Sequence, residues 1–210
     1  MTVITDYGVG NLFSLSSSLS FLGEENAVTS DPEILQNAER IILPGVGAFG
    51  DATAKLSASG LIPVLDSAVK SGKPLLGICL GMQMLFERSS EYGDHPGLGY
   101  IPGSVFALID DLPRTTPRLK TPHMGWNSLN IRKPDHPLMK YSDRAPFVYF
   151  VHSFYAKNCD ENTVADTEYG VSVPAVVAEG NVFGCQFHPE KSGKAGLSIL
   201  RAFFETGRRI

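Results

Sequence analysis

KPLLGICLGMQMLFE, residues 73–87, decides the fold of this chain. Its first half, Lys73–Cys79, is a short apolar run typical of a buried strand, and Met82–Glu87 has the pattern of a helix. Between them stands Gly77-Ile78-Cys79-Leu80-Gly81, in which glycines lie two residues away on either side of a cysteine. Such glycines let the backbone turn tightly and leave the central side chain accessible. The stretch therefore predicts a strand, a sharp turn that carries Cys79, and a helix.

Cys79 has two interpretations. A lone cysteine in an apolar run is more often a buried structural residue than a reactive one. The paired glycines and the switch from strand to helix favour a nucleophile, because unpaired amides at a helix start stabilise a thiolate and can hold a developing oxyanion. We therefore expect Cys79 to be catalytic. Cys185, in an alternating apolar segment, is expected to pack in the core, and Cys159, in a polar loop, to be exposed.

Short apolar runs and amphipathic helices alternate before residue 98, which predicts a parallel sheet with helices on both faces. The predicted strands here are Thr2–Thr5 and Arg40–Leu43, and helical patterns begin near Leu12 and Pro32 and cover Ala48–Ser59 and Leu61–Ser71. Ligand sites in such folds form at the carboxyl ends of the parallel strands. Both Cys79 and the loop Pro44-Gly45-Val46-Gly47 are expected there.

After residue 98 the pattern changes to short strands interrupted by proline and glycine. The predicted strands are Gly99–Leu108, Trp126–Ile131, Phe147–His152, Val173–Glu179 and Val182–Phe187, followed by a helix over Gly193–Thr206. Ala178-Glu179-Gly180-Asn181 has the composition of a hairpin turn. The fold class is therefore α/β, with three layers, a mixed and mostly parallel sheet, helices on both faces and an antiparallel β extension.

The composition favours one globular domain spanning residues 1–210, because the chain is 43% hydrophobic and 19% charged. The net charge of −4 and the absence of a basic cluster argue against nucleic-acid binding. No apolar run reaches the ~20 residues of a membrane span, and the N-terminus lacks a signal pattern, so a cytoplasmic location is expected. Three irregularly spaced cysteines and the lack of CxxC or HxxxH pairs predict neither disulfides nor a metal site, and we expect no cofactor.

Gln186-Phe187-His188-Pro189-Glu190 supplies a base for a cysteine nucleophile. Proline biases the preceding residue toward an extended conformation, in which residues two apart project to the same side. A carboxylate at Glu190 would then fix the tautomer of His188 and support its imidazolium form. A His-Pro-Glu segment alone is more often a surface turn, and only its combination with the Cys79 turn favours catalysis.

Two glycine-rich loops lie near the predicted strand ends. Gly8-Val9-Gly10 lacks the third glycine of a dinucleotide fingerprint, since Phe13 stands at that position. Pro44-Gly45-Val46-Gly47 is either a turn that ends a strand or a backbone whose amide faces a substrate oxyanion.

Three motifs together resemble the class I (triad) glutamine amidotransferases over nearly the whole chain: residues 44–47, residues 77–83 and residues 187–190. The resemblance implies that Cys79, His188 and Glu190 form the catalytic triad, and that Leu80 and the Val46–Gly47 region form the oxyanion hole. It also implies that Gln83, His152 and Ser153 contact the glutamine substrate. Phe154 occupies a position where these enzymes usually carry tyrosine, so a hydroxyl contact there is not expected.

Four further motifs resemble, within that class, the glutaminase subunits of imidazole glycerol phosphate synthases: residues 6–11, 44–49, 123–127 and 150–153. This likeness implies a heterodimer with a (β/α)8-barrel cyclase that receives ammonia through an internal tunnel during histidine biosynthesis. Asn11, Trp126 and Lys191 match positions at that interface. Trp126, the only tryptophan, has a core interpretation as its alternative, although aromatic anchors are enriched at interfaces.

A comparison of magnitudes predicts where control by a partner acts. Full ionisation of a thiol with a pKa of ~8.5 gains only about 30-fold in rate at pH ~7, whereas one oxyanion donor is worth ~10²–10³. We therefore expect a partner to act on the backbone of Pro44–Gly47 rather than on the Cys79 thiol.

Three alternative functions remain. The first is a stand-alone thiol hydrolase of γ-glutamyl amides, the second a non-catalytic binding subunit with the same fold, and the third an amidotransferase subunit of another synthase. The intact Cys79, His188 and Glu190 argue against the second, and the motifs at residues 6–11 and 123–127 argue against the third.

Overall fold

The computed structural model describes residues 1–114 and 119–206, which form fourteen strands and seven α-helices. The strands are β1 (Thr2–Thr5), β2 (Asn26–Thr29), β3 (Arg40–Gly45), β4 (Leu75–Cys79), β5 (Phe86–Ser89), β6 (His95–Pro96), β7 (Ile101–Ala107), β8 (His123–Ser128), β9 (Asn130–Ile131), β10 (Phe147–His152), β11 (Phe154–Lys157), β12 (Thr163–Glu168), β13 (Ser172–Glu179) and β14 (Val182–Cys185). The helices are α1 (Leu12–Phe21), α2 (Pro32–Asn37), α3 (Phe49–Ala58), α4 (Ile62–Lys70), α5 (Leu80–Met84), α6 (Leu108–Asp111) and α7 (Gly193–Glu205).

The main sheet has the strand order β2-β1-β3-β4-β14-β13-β12-β9. Its first five strands are parallel, and β14, β13, β12 and β9 pair antiparallel. Strand β14 therefore joins the two halves, because it pairs in parallel with β4 on one side and antiparallel with β13 on the other. The expected mixed sheet with an antiparallel extension is confirmed.

Alternating residues of the parallel strands face two separate cores. Val3 of β1 and Leu43 of β3 belong to one cluster, which α2, α3 and α4 cover, whereas Ile4 of β1 and Leu76 of β4 belong to a second cluster with α1 and α7. This is the consequence of the two-residue period of a strand. Helices thus lie on both faces of the sheet, as the sequence predicts.

Two local predictions are wrong. The helix expected over Met82–Glu87 ends at Met84, and Phe86 begins β5, which pairs with β7 in a second, four-stranded sheet. Backbone pairing across β5 overrides the helical pattern, which rests on few residues. Cys159 is only 3% exposed, and burial raises the pKa of its thiol to about 11. Cys185 is buried in the core, as expected.

Candidate active site

The turn after β4 places Cys79 at the carboxyl end of a central strand. Cys79 adopts φ +56° and ψ −112°, a conformation that residues with a side chain rarely adopt. Gly81 lies so close to β3 that a Cβ atom there would collide with the carbonyl oxygen of Leu43, and a Cβ at Gly77 would lie 2.6 Å from the carbonyl oxygen of Gly81. The two glycines therefore permit the close packing that holds Cys79 in its strained conformation.

His188 follows β14, the neighbour of β4, so the two side chains come from adjacent strand ends. The Nδ1 atom of His188 lies 2.9 Å from Oε1 of Glu190, and the Glu190 side chain is only 3% exposed. Pro189–Lys191 forms a turn of 3-10 helix rather than the expected extended segment. The pairing of His188 with Glu190 is thus present, although a tight turn and not a strand produces it.

The electrostatics of His188 favour its protonated form. Burial alone would lower the pKa of His188, but hydrogen bonds to Cys79 and Glu190, together with their negative charges, raise it to about 9. Two hydrogen bonds hold the backbone of His188. Its amide donates to the carbonyl of Tyr149 at 3.0 Å, and Ser192 Oγ donates to its carbonyl at 2.6 Å. An imidazolium stabilises a neighbouring thiolate, which is the nucleophilic form of cysteine.

The loop Pro44–Gly47 faces the cysteine from the other side, because Gly45 of β3 is the register partner of Cys79. Val46 is 39% exposed, and Gly47 has φ +93° with open space around its Cα. The hydroxyl of Tyr7 donates to the carbonyl of Pro44 at 2.7 Å. The loop is therefore anchored at its first residue and open at its last.

A cavity of about 350 Å³ lies over the cysteine and brings most of the expected site residues together. Its walls include Val46, Gly47, Cys79, Leu80, Gln83, Glu91, His152, Ser153, Phe154 and His188. One cavity thus holds residues expected in the triad, in the oxyanion hole and in the substrate site. Glu190 does not line it but contacts the His188 ring from behind. The ring of His152 is buried, with Nδ1 2.9 Å from the carbonyl oxygen of Phe154 and Nε2 3.0 Å from Nδ1 of His123.

The residues expected at a partner interface lie outside this cavity. Trp126 is 57% exposed, which excludes its core interpretation, and Lys191 is exposed as well. Asn11 is half-buried, with Nδ2 3.4 Å from Oε1 of Glu190. Asn11 therefore connects the N-terminal loop to the Glu190 carboxylate.

Two site residues were missed by sequence reasoning. Gln186 is fully buried, and its Nε2 lies 3.9 Å from the Cys79 sulphur; the two-residue period that linked His188 to Glu190 also leads back to Gln186. Glu91 lines the cavity, and its Oε2 accepts a 2.6 Å hydrogen bond from the Phe49 amide. Burial raises the pKa of the Glu91 carboxyl, and the Phe49 amide opposes this. No sequence signal indicated Glu91, because β5, which directs the chain toward it, was itself not predicted.

No group of three His, Cys, Asp or Glu side chains suited to a metal ion occurs in the described part of the chain. Among residues 1–114 and 119–206, no helix combines the length and hydropathy that a membrane crossing requires.

Comparisons with known proteins agree with this geometry. The family model of class-I glutamine amidotransferases matches residues 3–206. "Imidazole glycerol phosphate synthase subunit HisH" of Lactiplantibacillus plantarum is 48% identical over 98% of this chain and 95% of that protein, and the protein of the same name from Caldanaerobacter subterraneus subsp. tengcongensis is 47% identical over 98% of both. Among solved structures, a glutamine amidotransferase (20% identity, 98% of both chains) and PurLQS from Thermotoga maritima (22% identity, 97% of this chain and 96% of that one) each superpose with a TM-score of 0.74. The structural likenesses show the fold.

Proposed function

Because the chain belongs to the class-I glutamine amidotransferase family, we propose that Cys79, His188 and Glu190 are the catalytic triad of a glutaminase. The observation that carries the proposal is the position of Cys79 and His188 on adjacent strand ends, facing one cavity, with Glu190 hydrogen-bonded behind His188. We treat residues 1–210 as a single amidotransferase domain, in line with the family match over residues 3–206.

The function is that of the glutaminase subunit of an imidazole glycerol phosphate synthase. Relatives that are 47–48% identical over nearly the whole chain are named as the HisH subunit of that synthase. This enzyme hydrolyses glutamine to glutamate and ammonia and acts with a cyclase partner in histidine biosynthesis. We propose further that the partner is a (β/α)8 barrel that receives the ammonia through a tunnel, because ammonia released into water would be lost by protonation.

The mechanism follows from the site. The Cys79 thiolate attacks the side-chain amide carbon of glutamine, and the resulting oxyanion is stabilised by the Leu80 amide and an amide of Val46 or Gly47. The imidazolium of His188 gives its proton to the amide nitrogen, the C–N bond breaks, and ammonia leaves behind a glutamyl thioester. His188 then removes a proton from water, whose oxygen attacks the thioester. The C–S bond breaks and releases glutamate, which leaves the Cys79 thiolate and the His188 imidazolium as at the start. Glu190 orients the imidazole throughout.

Substrate recognition requires an acceptor for the α-ammonium group of glutamine. Glu91 supplies the carboxylate of the cavity wall, and an ammonium ion beside it would offset the cost of its burial. Gln83 donates both of its amide N–H groups within the protein, to the carbonyl of Phe154 and to Oε1 of Gln186, each at 2.9 Å. Its Oε1 atom can then accept from the same ammonium group. His152 and Ser153 would border the amino-acid end of the substrate.

The partner would contact the surface around Trp126 and Lys191, with Asn11 at its edge next to Glu190. Exposed aromatic side chains of this kind serve as anchors in protein interfaces. A cytoplasmic location belongs to this proposal, because reducing compartments keep thiols free. All three cysteines are unpaired with one another.

One experiment tests the proposal: synthesis of imidazole glycerol phosphate by the reconstituted pair, driven either by glutamine or by ammonium salts. We expect Cys79→Ala to abolish the glutamine-dependent reaction and to spare the ammonia-dependent one. Cys159→Ala, at a buried cysteine far from the cavity, should retain both. Glutamine hydrolysis that survives Cys79→Ala would refute the assigned nucleophile, and a wild-type rate that the cyclase does not change would favour a stand-alone thiol hydrolase.

A further inference from the structure

A buried pair of histidines connects strand β8 to the substrate cavity. His123 begins β8, and the antiparallel register of β8 and β10 places it directly opposite His152. The His123 ring is stacked between Phe150 and Tyr169, with ring centroids 4.7 and 4.0 Å away and interplanar angles of 21° and 23°. Neither the triad nor the oxyanion hole uses this ring.

The hydrogen bonds assign one tautomer to each ring. The carbonyl of Phe154 can only accept, so Nδ1 of His152, 2.9 Å away, carries a proton. Burial lowers the pKa of His152 to about 3 and that of His123 to about 4, so both rings are neutral at pH 7. Nε2 of His152 is therefore an acceptor, and Nδ1 of His123, 3.0 Å away, must donate to it. Nε2 of His123 remains an acceptor and lies 3.5 Å from Nδ2 of Asn127.

The chain of hydrogen bonds continues to the nucleophile. The carbonyl of Phe154 accepts from Gln83 Nε2 as well as from His152, at 2.9 Å in each case. Gln83 also donates to Oε1 of Gln186, whose Nε2 faces the Cys79 sulphur at 3.9 Å. We call His123, His152, Gln83 and Gln186, joined through the Phe154 carbonyl, the polar relay. The Phe154 carbonyl can only accept, so it fixes the donor direction in both arms, toward His152 and His123 on one side and toward Gln83 and Gln186 on the other.

We propose that His123 is a positioning residue for glutamine hydrolysis, which acts through His152 and the Phe154 carbonyl to fix the amides of Gln83 and Gln186 beside Cys79. This inference rests on the proposed function. Both ring nitrogens of His152 are engaged in the relay, so His152 contributes to the site by holding the Phe154 carbonyl and not by donating to glutamine. Losing the His123 donor would leave a buried acceptor on His152 unpaired, which buried polar groups tolerate poorly.

The test compares two substitutions of one residue. His123→Phe keeps an aromatic ring between Phe150 and Tyr169 but has no donor, whereas the amide of His123→Asn can occupy the position of Nδ1 and donate. Tyr169→Leu serves as the packing control, because it removes one stacked ring and no relay donor. The readouts are kcat and KM for glutamine in the complex with the cyclase, the ammonia-dependent reaction, and the rate of Cys79 alkylation by iodoacetamide in the isolated chain.

We expect His123→Phe to lower kcat/KM for glutamine about tenfold, to change the rate of Cys79 alkylation, and to leave the ammonia-dependent reaction intact. His123→Asn should recover activity to within about threefold of wild type, and Tyr169→Leu should lose stability without this loss of kcat/KM. Equal losses in the Phe and Asn variants, or wild-type values for His123→Phe, would overturn the proposal. If the wild-type protein itself consumed no glutamine, the proposed function would be wrong. The alkylation rates of Cys79 in wild type and His123→Phe would still show whether the relay positions groups beside Cys79.

A direct measurement covers the case in which a variant does not fold. Nitrogen-15 NMR of the histidine rings in the wild-type chain distinguishes protonation at Nδ1 from protonation at Nε2. We expect a neutral ring protonated at Nδ1 for both His123 and His152, the less common tautomer of free imidazole side chains. A proton at Nε2 of His123 would rule out donation to His152 and with it the relay.

Discussion

The turn around Cys79 and the loop Pro44–Gly47 face each other across the same cavity, yet they are built in opposite ways. At the turn, a Cβ atom on Gly81 would collide with backbone of β3, and Cys79 is held in a strained conformation. At the loop, Gly47 has positive φ but open space around it, and Val46 is half-exposed. Cys79, the proposed nucleophile, is therefore positioned by close packing. The facing backbone amides of the loop are held mainly by the conformational preference of Gly47.

This difference indicates where a partner can act at small cost. Moving Cys79 would require β3, β4 and α5 to repack, and packed cores resist such movement. A Cβ atom added at Gly47 would meet no atom of a residue outside 46–48 within 4 Å, so the backbone there has room to move. The structure thus gives a physical basis for the expectation that a partner acts on the backbone of Pro44–Gly47. That expectation stays a prediction.

The largest effect is expected from a change that breaks the turn itself. Gly81→Ala forces a methyl group against the carbonyl oxygen of Leu43, backbone that cannot move without separating β3 from the turn. We expect a loss of more than about 4 kcal/mol in the free energy of unfolding, or insoluble protein. Urea unfolding and soluble yield measure this. A stable and active Gly81→Ala variant would show that the turn is not held by packing.

The second effect concerns the loop alone. Gly47→Ala disfavours positive φ by roughly 1–2 kcal/mol without a clash and should shift the loop amides. We expect glutamine turnover to fall by about 10², the value of one oxyanion donor. Gly60→Ala is the matched control, since Gly60 also has positive φ and open space but lies outside the cavity. If both variants lose similar stability but only Gly47→Ala loses turnover, the loss reflects the proposed role of the loop amides and not backbone strain. Equal turnover in the two variants would contradict that role.

The third prediction concerns the positive charge of the His188 ring. Because the pKa of His188 rises from 6.5 to about 9 on folding, its imidazolium stabilises the folded state fully below pH 6.5, and this contribution is lost as the pH rises through 9. His188→Gln should remove that dependence, so the stability difference between wild type and variant should shrink by on the order of 1–3 kcal/mol between pH 6.5 and 9. Denaturation curves across this range measure it. Parallel curves for the two proteins would mean that His188 is not an imidazolium in the folded state.

The smallest effect is expected at the anchored end of the loop. Tyr7→Phe removes the hydroxyl that donates to the Pro44 carbonyl and should cost about 1 kcal/mol in stability and a few-fold in kcat for glutamine. Tyr100→Phe, which loses a hydrogen bond to Asp66 away from the cavity, should lose stability but keep kcat. Identical kcat values in the two variants would show that the anchor does not influence the loop amides.

Much of the fold could be predicted because the signals were local. Apolar runs separated by amphipathic helices gave the parallel half, and the glycines around Cys79 gave the turn. Strand β5 could not be predicted, since its four residues form a strand by pairing with β7 and β6, and local propensity does not report such pairing. Glu91 was missed for the same reason. Gln186 could have been found, because it precedes His188 by the two residues that the argument for Glu190 already used.

The position of β14, which joins the two halves of the sheet, has a consequence for the order in which the site forms during synthesis on the ribosome. Cys79 lies on a strand made early, whereas His188 follows a strand made roughly a hundred residues later, and the two meet only when β14 pairs with β4. A growing chain, or a fragment cut before β14, carries Cys79 without His188. Under the proposed assignment of the triad, such a species lacks the base that glutamine hydrolysis needs, and activity begins only when the sheet is complete.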